Sequence, residues 1–480
     1  MQKIKNYING ELIIPQAGKY LDNIEPATGE VYSLIPDSDE SDLALAVIAA
    51  ENAKSTWANT STEQRAQVLC KLADLIDSHA DRLALAEAID NGKPVTLAKD
   101  VDIYRAAANI RFFAHAGTQF ASESHAMEDV AINYTLRDPI GIVGCISPWN
   151  LPLYLFTWKI APALAAGNVV IAKPSEVTPM TSYLFSQLCI EAGLPQGVLN
   201  ILHGTGPNIG SPLVVHPKVK AISFTGGTAT GAHITRATAG LFKKLSLELG
   251  GKNPTVVFAD CDFEDTVTTV VRAAFANQGQ ICLCGSRIYI ERSIYKRFKQ
   301  AFVTRVAQIQ IGDPLAKETQ HGALVSKDHM KKVLSYIELA QNEGGIILTG
   351  GKQRQLTGRC EKGYFVEPTV IENLDNNCRT NQEEIFGPVC TIMPFDNDAQ
   401  ALALANGTQY GLAASIWTND LKRAHRMAKN IEAGIVWINC WLLRDLRTPF
   451  GGVKSSGVRR EGGLEALRFF TEPKNVCIKY

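Results

Sequence analysis

One stretch of this 480-residue chain places a cysteine where a thiol can react: Phe275-Ala276-Asn277-Gln278-Gly279-Gln280-Ile281-Cys282-Leu283-Cys284-Gly285-Ser286-Arg287. Small and polar residues surround Cys282, and an apolar strand-like run, Ile288-Tyr289-Ile290, follows. A nucleophilic thiol needs access and hydrogen-bond donors, whereas a structural cysteine keeps apolar company. Leu247-Glu248-Leu249 sets a carboxylate between two leucines. It reads either as a helix-end glutamate pointing to solvent or as a general base whose pKa is raised by apolar walls. In Ser147-Pro148-Trp149-Asn150-Leu151-Pro152, a loop bounded by two prolines, Asn150 either caps the next helix or donates its amide to a developing oxyanion.

Two further segments suit a dinucleotide. Phe224-Thr225-Gly226-Gly227-Thr228-Ala229-Thr230-Gly231 follows a strand and opens a helix, so its backbone N–H groups could face a phosphate. It is neither a regular Gly-x-Gly-x-x-Gly fingerprint nor a P-loop, and a plain structural turn is the competing reading. Ile171-Ala172-Lys173-Pro174-Ser175-Glu176 ends a strand, where open α/β sheets bind ligands. A carboxylate there accepts both ribose hydroxyls of an adenosine and repels a 2′-phosphate, which favours NAD over NADP; otherwise the segment is a solvated Lys-Glu turn.

The elements that must position these residues follow from periodicity. Ser41 to Ala58 and Thr60 to Asn91 read as helices, the second opened by a capping-box pattern at Thr60-Ser61-Thr62-Glu63 and stopped by Asn91-Gly92-Lys93-Pro94. Val101 to Gly117 is a third helix, and the alternation in Asp129 to Arg137 predicts an exposed strand. From Gly141, β-branched runs at Ile142–Ile146, Val169–Ala172, Val198–Leu202, Ala221–Phe224 and Thr255–Phe258 alternate with helical lengths. That rhythm implies βαβ crossovers and a parallel sheet. A second α/β block follows, with helices near Ser293–Gln310, Ser326–Asn342 and Leu421–Ile431 and strands at Ile346–Leu348 and Val389–Met393. The last fifteen residues read as a strand whose edge could pair with another chain.

Lys plus Arg and Asp plus Glu both number 48, so no bulk field favours nucleic acid or a membrane surface. Apolar content of 46% and charged content of 20% describe an ordinary globular chain, long enough for more than one core. Eleven irregularly spaced cysteines argue for a reducing compartment, and no signal or transit segment is evident at the start, so a cytoplasmic protein is expected. The apolar region Ile140 to Ala172 is interrupted by Pro148, Asn150, Pro152, Lys159, Pro162 and Asn168 and cannot span a bilayer. Cys282 and Cys284 lack the partners of a tetrahedral set, so no metal is expected.

Taken in order, Trp149-Asn150, Lys173-Pro174-Ser175-Glu176, Phe224-Thr225-Gly226, Glu248-Leu249-Gly250-Gly251-Lys252, Gly279-Gln280-Ile281-Cys282 and Glu383-Glu384-Ile385-Phe386-Gly387-Pro388 resemble the aldehyde dehydrogenase superfamily. The likeness runs from Tyr7-Ile8-Asn9-Gly10 to the terminal strand, and the interval between Glu248 and Cys282 fits it. It implies an α/β fold: a Rossmann-type NAD-binding domain (1–118 and 140–250), an α/β catalytic domain (251–445) and a β oligomerisation element (119–139 and 465–480) in a homodimer or homotetramer. It implies Cys282 as nucleophile rather than Cys284, Asn150 with the Cys282 N–H as oxyanion donors, and Glu248 as the base that activates water, which argues against the branch of the superfamily that acylates coenzyme A. For NAD it implies Lys173 and Glu176 at the adenosine ribose, Gly226 and Gly227 at the pyrophosphate, Glu384 at the nicotinamide ribose, and Ile146, Trp149, Leu249 and Phe386 around the dinucleotide. Gly227 departs from the pattern, because many relatives carry Ser there.

The segments Asn439–Lys454, Arg460–Gly463 and Phe469–Glu472, with Asp102-Ile103-Tyr104-Arg105, are similar to the muconic semialdehyde dehydrogenases, apart from Tyr104 where those enzymes commonly have Pro. The resemblance assigns Arg105 and Arg444 to the substrate's distal carboxylate, which guanidinium forks bind in bidentate fashion. Arg111 and Arg447 are the nearest competitors. The expected substrate is 2-hydroxymuconate or 2-aminomuconate semialdehyde; succinate semialdehyde, betaine aldehyde, an aliphatic or aromatic aldehyde, or a non-catalytic protein of the same fold are the alternatives.

Overall fold

The computed structural model describes residues 1–480. Its largest sheet has eight strands, and the five central ones are parallel: Lys244–Glu248, Val219–Thr225, Ile142–Ile146, Val169–Lys173 and Leu199–Ile201 in spatial order. Strands 142–146 and 219–225 lie side by side although they are far apart in sequence, so the order reverses between them. Such a switch point leaves a crevice beyond the carboxyl ends of the strands. The loop carrying Trp149 and Asn150 and the Gly226-Gly227 turn both leave the sheet there.

A second sheet of seven strands, parallel except for Ile346–Thr349, holds Asn253–Val257 and Gly285–Glu291 at its centre. Cys282 lies in the turn that enters Gly285–Glu291. The fifth β-branched run of the sequence therefore belongs to this sheet and not to the first. The strand Lys244–Glu248, by contrast, went unread, because Lys244, Ser246 and Glu248 dilute its apolar character.

The apolar region Ile140 to Ala172 resolves into a strand, a helix and a strand. Its helix, Pro152–Ala165, starts with proline at the first turn and is buried at every position. Burial on all sides is what an apolar-all-round helix requires in a folded domain. No helix is long and apolar enough to cross a membrane.

Three other expectations need correction. The helix read as Thr60–Asn91 is two, Thr62–Ser78 and Ala80–Asn91. His79 breaks it with φ −105° and ψ 17°, its ring Nδ1 lying 2.9 Å from the Leu75 carbonyl oxygen. The capping box sits one residue later than read, with Ser61 and Gln64 exchanging bonds. The next α-helix begins at Tyr104, preceded by a six-residue π-helical stretch, Ala98–Ile103. The terminal strand Thr471–Lys479 is antiparallel to Ala131–Pro139 of its own chain on one side and leaves its other edge, the one expected to meet another chain, unpaired. It forms one edge of a three-stranded sheet and is exposed along most of its length.

Candidate active site

The Cys282 stretch has a forced backbone. Asn277, Gln278 and Gly279 take successive positive φ values of 51°, 56° and 68°. A Cβ on Gly279 would lie 2.1 Å from the Gly387 carbonyl oxygen, so only glycine fits. Such conformations persist only where surroundings over-determine them. Here Asn277 donates to Asn150 O at 2.9 Å, Gln278 donates to Ala323 O at 3.0 Å, and Gln280 Oε1 accepts from Val325 N–H at 3.1 Å.

Cys282 stands between two cavities. One, of about 340 Å³, is bordered by Gly251, Lys252, Glu384 and Phe386; the other, of about 580 Å³, by Arg105, Tyr154, Trp158, Glu248, Arg444 and Glu461 among others. The residue keeps partial exposure through them. Its thiol is nevertheless pushed well above the ordinary range, by burial first and then by Glu384, Glu248 and Cys284, with Arg444 pulling the other way. Cys284 is buried, and burial pushes its thiol up to about 12.

The Asn150 amide donates to Gln280 O at 2.9 Å, two residues before Cys282, and does not cap the following helix, whose N-cap is Leu151. Its second N–H stays available. Glu248 ends a strand, not a helix, and is 4% exposed. Neither carboxyl oxygen has a hydrogen-bond partner. Gly451 makes room for it, since a Cβ there would lie 2.5 Å from Oε1. Burial, then Glu461, raises the Glu248 pKa well above the carboxylate range, against the pull of Lys159, Arg460 and Arg444.

Two residues of this neighbourhood escaped the sequence reading. Lys159, fully buried, donates to Glu461 Oε1 at 2.9 Å and to Ser223 Oγ at 3.2 Å. Glu461 Oε2 is buried without a partner. The signal was a lysine inside an otherwise apolar helix, noted only as an interruption.

In the wall of the larger cavity, the Arg444 guanidinium lies 4.0 Å from the centroid of each of the Trp158 and Phe450 rings, which themselves meet edge to face at 6.3 Å, and donates through Nη1 to Tyr154 Oη. Its Nη2 is buried with no acceptor. Arg105 lies 5.7 Å over the Tyr154 ring and donates to Leu442 O at 3.4 Å. The loop bearing Arg444 is held by two indoles: Trp437 donates to Leu443 O and Trp441 to Leu283 O, both at 2.9 Å. The competing arginines are engaged at the surface. Arg111 pairs with Asp74 and Asp77 at 2.7 and 2.8 Å, and Arg447 pairs with Asp445 at 2.6 Å.

On the other side of Cys282, Glu384 Oε1 accepts from Gly251 N–H at 2.8 Å. Trp149 and Phe386 meet edge to face at 5.3 Å, and His329, 5.1 Å from Trp149, lies 2.7 Å through Nε2 from Phe386 O. Lys173 is buried and pairs with Glu176 at 2.9 Å. Gly226 donates its own N–H to Glu248 O at 3.0 Å, so the turn's free donors begin at Gly227, the N-cap of helix Thr228–Thr238. A Cβ built on Gly227 meets nothing within 4 Å, which leaves open space beside those donors. Ile146 ends its strand at the crevice, and Leu249 packs on Gly231, where a Cβ would approach Leu249 Cδ2 to 2.5 Å. No group of His, Cys, Asp or Glu is arranged to hold a metal.

A cysteine between two cavities, one fronted by a buried glutamate and the other by a dinucleotide-type crevice, is what the sequence likeness anticipates, and comparison with known proteins decides the family. Residues 13–476 match the aldehyde dehydrogenase family. The chain belongs to that family. It is 48% identical over 480 residues to the 2-aminomuconic semialdehyde dehydrogenase of Mus musculus, covering 99% of this chain and 98% of that one. It is 45% identical to the 2-hydroxymuconic semialdehyde dehydrogenase of Pseudomonas sp. (strain CF600) over the full length of both. Among solved structures, the NAD+ complex of aldehyde dehydrogenase from Bacillus cereus superposes with a TM-score of 0.97 at 40% identity, covering 100% of this chain and 97% of that chain.

Proposed function

We propose that this aldehyde dehydrogenase oxidises a carboxylate-bearing semialdehyde, 2-hydroxymuconate or 2-aminomuconate semialdehyde, to the dicarboxylic acid with NAD. The observation that carries the substrate class is Arg444: a buried guanidinium nitrogen without an acceptor, in the wall of the cavity that Cys282 and Glu248 also line. A charged donor left unpaired inside a protein is costly unless a ligand completes it. A distal carboxylate does so, with Arg105 beside it, and a cationic aldehyde would be repelled.

The aldehyde carbon then lies at Cys282. Its sulfur bonds to that carbon as the thiol proton passes to solvent water, and the second Asn150 N–H with the Cys282 N–H holds the oxyanion. Gly227 and Glu384 are among the residues that would hold NAD, which when bound would supply the hydride acceptor. Loss of hydride leaves a thioester on Cys282. Glu248, once ionised, takes a proton from water, whose oxygen attacks the thioester and releases the acid and the thiolate. Lys159 and Glu461 offer that proton a buried partner. Cys284, inert at its raised pKa, takes no part.

Lys173 and Glu176 hold the adenosine ribose, Gly226 and Gly227 the pyrophosphate turn, with Ile146, Trp149, Leu249 and Phe386 packing around the dinucleotide. Residues 1–118 and 140–250 form the NAD-binding unit, 251–445 the catalytic unit, and 119–139 with 465–480 an oligomerisation element that makes a homodimer or homotetramer through its exposed edges. Eleven free cysteines support a cytoplasmic location.

The test is purified protein with NAD and a panel of aldehydes, following NADH. A muconic semialdehyde should show the highest kcat/KM. Higher values for neutral aliphatic aldehydes or succinate semialdehyde would overturn the substrate; no NADH with any aldehyde would overturn the activity.

A further inference from the structure

Lys93 lies outside both cavities, yet it joins the parts that shape the larger one. It is fully buried, and its ammonium spends its three donors on three segments: Asp102, Glu87 Oε1 at 3.3 Å and the Asn150 carbonyl oxygen at 3.0 Å. Asp102 belongs to the π-helical stretch Ala98–Ile103, which delivers Val101 and Arg105 to the cavity wall. Glu87 Oε2 accepts from Leu153 N–H at 3.3 Å, at the start of the helix that carries Tyr154 and Trp158. Asn150 is the oxyanion donor. The lysine's own backbone is fixed from the other side: Gly92, at φ 85°, accepts from Ala323 N–H at 2.9 Å, and a Cβ there would come within 2.8 Å of Ala323 O.

Burying an ammonium between two carboxyls is a poor way to gain stability, and the best-attested use of such groups is to fix a register. Burial, opposed by Lys93 and aided by Asp102, pushes the Glu87 carboxyl well above its ordinary range.

We propose that Lys93 is a positioning residue that fixes the separation between the aldehyde-holding Asn150 and the carboxylate-holding Arg105, and so sets the length of semialdehyde the site accepts. The inference rests on the carboxylate-anchoring reading above. It is tested with four-, five- and six-carbon acid semialdehydes and the matching neutral aldehydes, on wild type, Lys93→Met and Asp102→Asn, with NAD binding followed by tryptophan fluorescence. The wild type should favour six carbons. Both variants should narrow the six- to four-carbon ratio of kcat/KM by about tenfold to a hundredfold, the scale of an ångström-sized misplacement, while NAD affinity stays within about twofold.

A parallel fall on all aldehydes, or an unchanged length ratio in either variant, would overturn the proposal. Should Lys93→Met fail to fold, Asp102→Asn decides, since it keeps the lysine on Asn150 and weakens only the tie to the Arg105 segment. A wild type that shows no preference for acid over neutral aldehydes overturns the anchoring reading and this proposal together. A wild type with that preference and variants with unchanged length ratios overturn this proposal alone.

Discussion

Arg444→Met tests substrate recognition when rates are compared on the pH plateau, where the pull of Arg444 on Cys282 and Glu248 does not enter. Methionine keeps much of the volume beside Trp158 and Phe450 and removes the charge. Truncating one partner of a buried, hydrogen-bonded charge pair costs ~2–5 kcal/mol. Arg444 is half-buried and Arg105 remains, which points to the lower part of that range, ~2–3 kcal/mol, or a loss of ~30- to 150-fold in kcat/KM on an acid semialdehyde at ~1.4 kcal/mol per decade. On a neutral aldehyde of equal length the loss should stay within about threefold, an estimate from the same scale. Stability should fall modestly. The variant loses contacts with the rings of Trp158, Phe450 and Tyr154, worth ~0.5–2 kcal/mol each, and the bond to Tyr154 Oη, and this is partly offset by removal of an unpaired buried donor that costs ~1–3 kcal/mol. Arg444→Lys should fall between, because a point charge cannot reproduce the fork. Steady-state kinetics on matched acid and neutral aldehydes, with a thermal melt, provide the assay. An equal loss on both substrates would refute the carboxylate role, and a large drop in Tm would show that Arg444 serves packing.

Cys282→Ser should abolish NADH formation while leaving NAD binding, measured by fluorescence titration, intact; Cys284→Ser should retain activity within about threefold, because its thiol stays protonated. Glu248→Gln should still release NADH in a first-turnover burst and then stall, with the acyl-enzyme visible by intact mass. Because burial raises the Glu248 pKa, the folded state binds this proton more tightly than the unfolded chain. Wild-type stability relative to Glu248→Gln is therefore fully present below the ordinary value of 4.5 and is lost as pH rises through the raised folded value, which melts across that window would show. Glu176→Gln should raise kcat/KM for NADP by about tenfold or more, since a like charge against the 2′-phosphate costs several kcal/mol; an unchanged NAD to NADP ratio would remove Glu176 from the ribose. Deleting residues 471–480 should lower the mass seen by analytical ultracentrifugation to that of a monomer.

Much of this was legible in the chain because it depends on local order. The β-branched runs at Ile142–Ile146 and Val169–Ala172 stand within a residue of the observed strands, since strands buried on both faces need continuous apolar runs. Cys282, Glu248 and Asn150 were marked by residue type set against neighbours. What escaped depends on partners distant in sequence. The break at His79 comes from an imidazole turned back to Leu75. The strand Lys244–Glu248 buries Ser246 and Glu248 as well as Leu247, so it lacks a continuous apolar run, and it is completed by Gly457–Val458 from near the chain's end. Likewise Lys93 reads as part of a helix-stop signal. Only the fold brings Glu87, Asp102 and Asn150 to it, from three segments no periodicity connects.

The charges around Cys282 share one logic. Glu248, Glu384 and Glu461 crowd the thiol, and Arg444 is the cation that lowers both Cys282 and Glu248. A substrate carboxylate that pairs with Arg444 weakens this pull, so anchoring the substrate works against ionising the nucleophile and the base. Arg105 lines the same cavity but is not among the leading charges that act on either group, so it adds carboxylate affinity with less of that penalty. This gives a physical reason for two arginines where one would neutralise the charge. It also implies that losing Arg105 weakens acid-semialdehyde binding without moving the pH dependence on neutral aldehydes, whereas losing Arg444 shifts the acidic limb of that profile to higher pH.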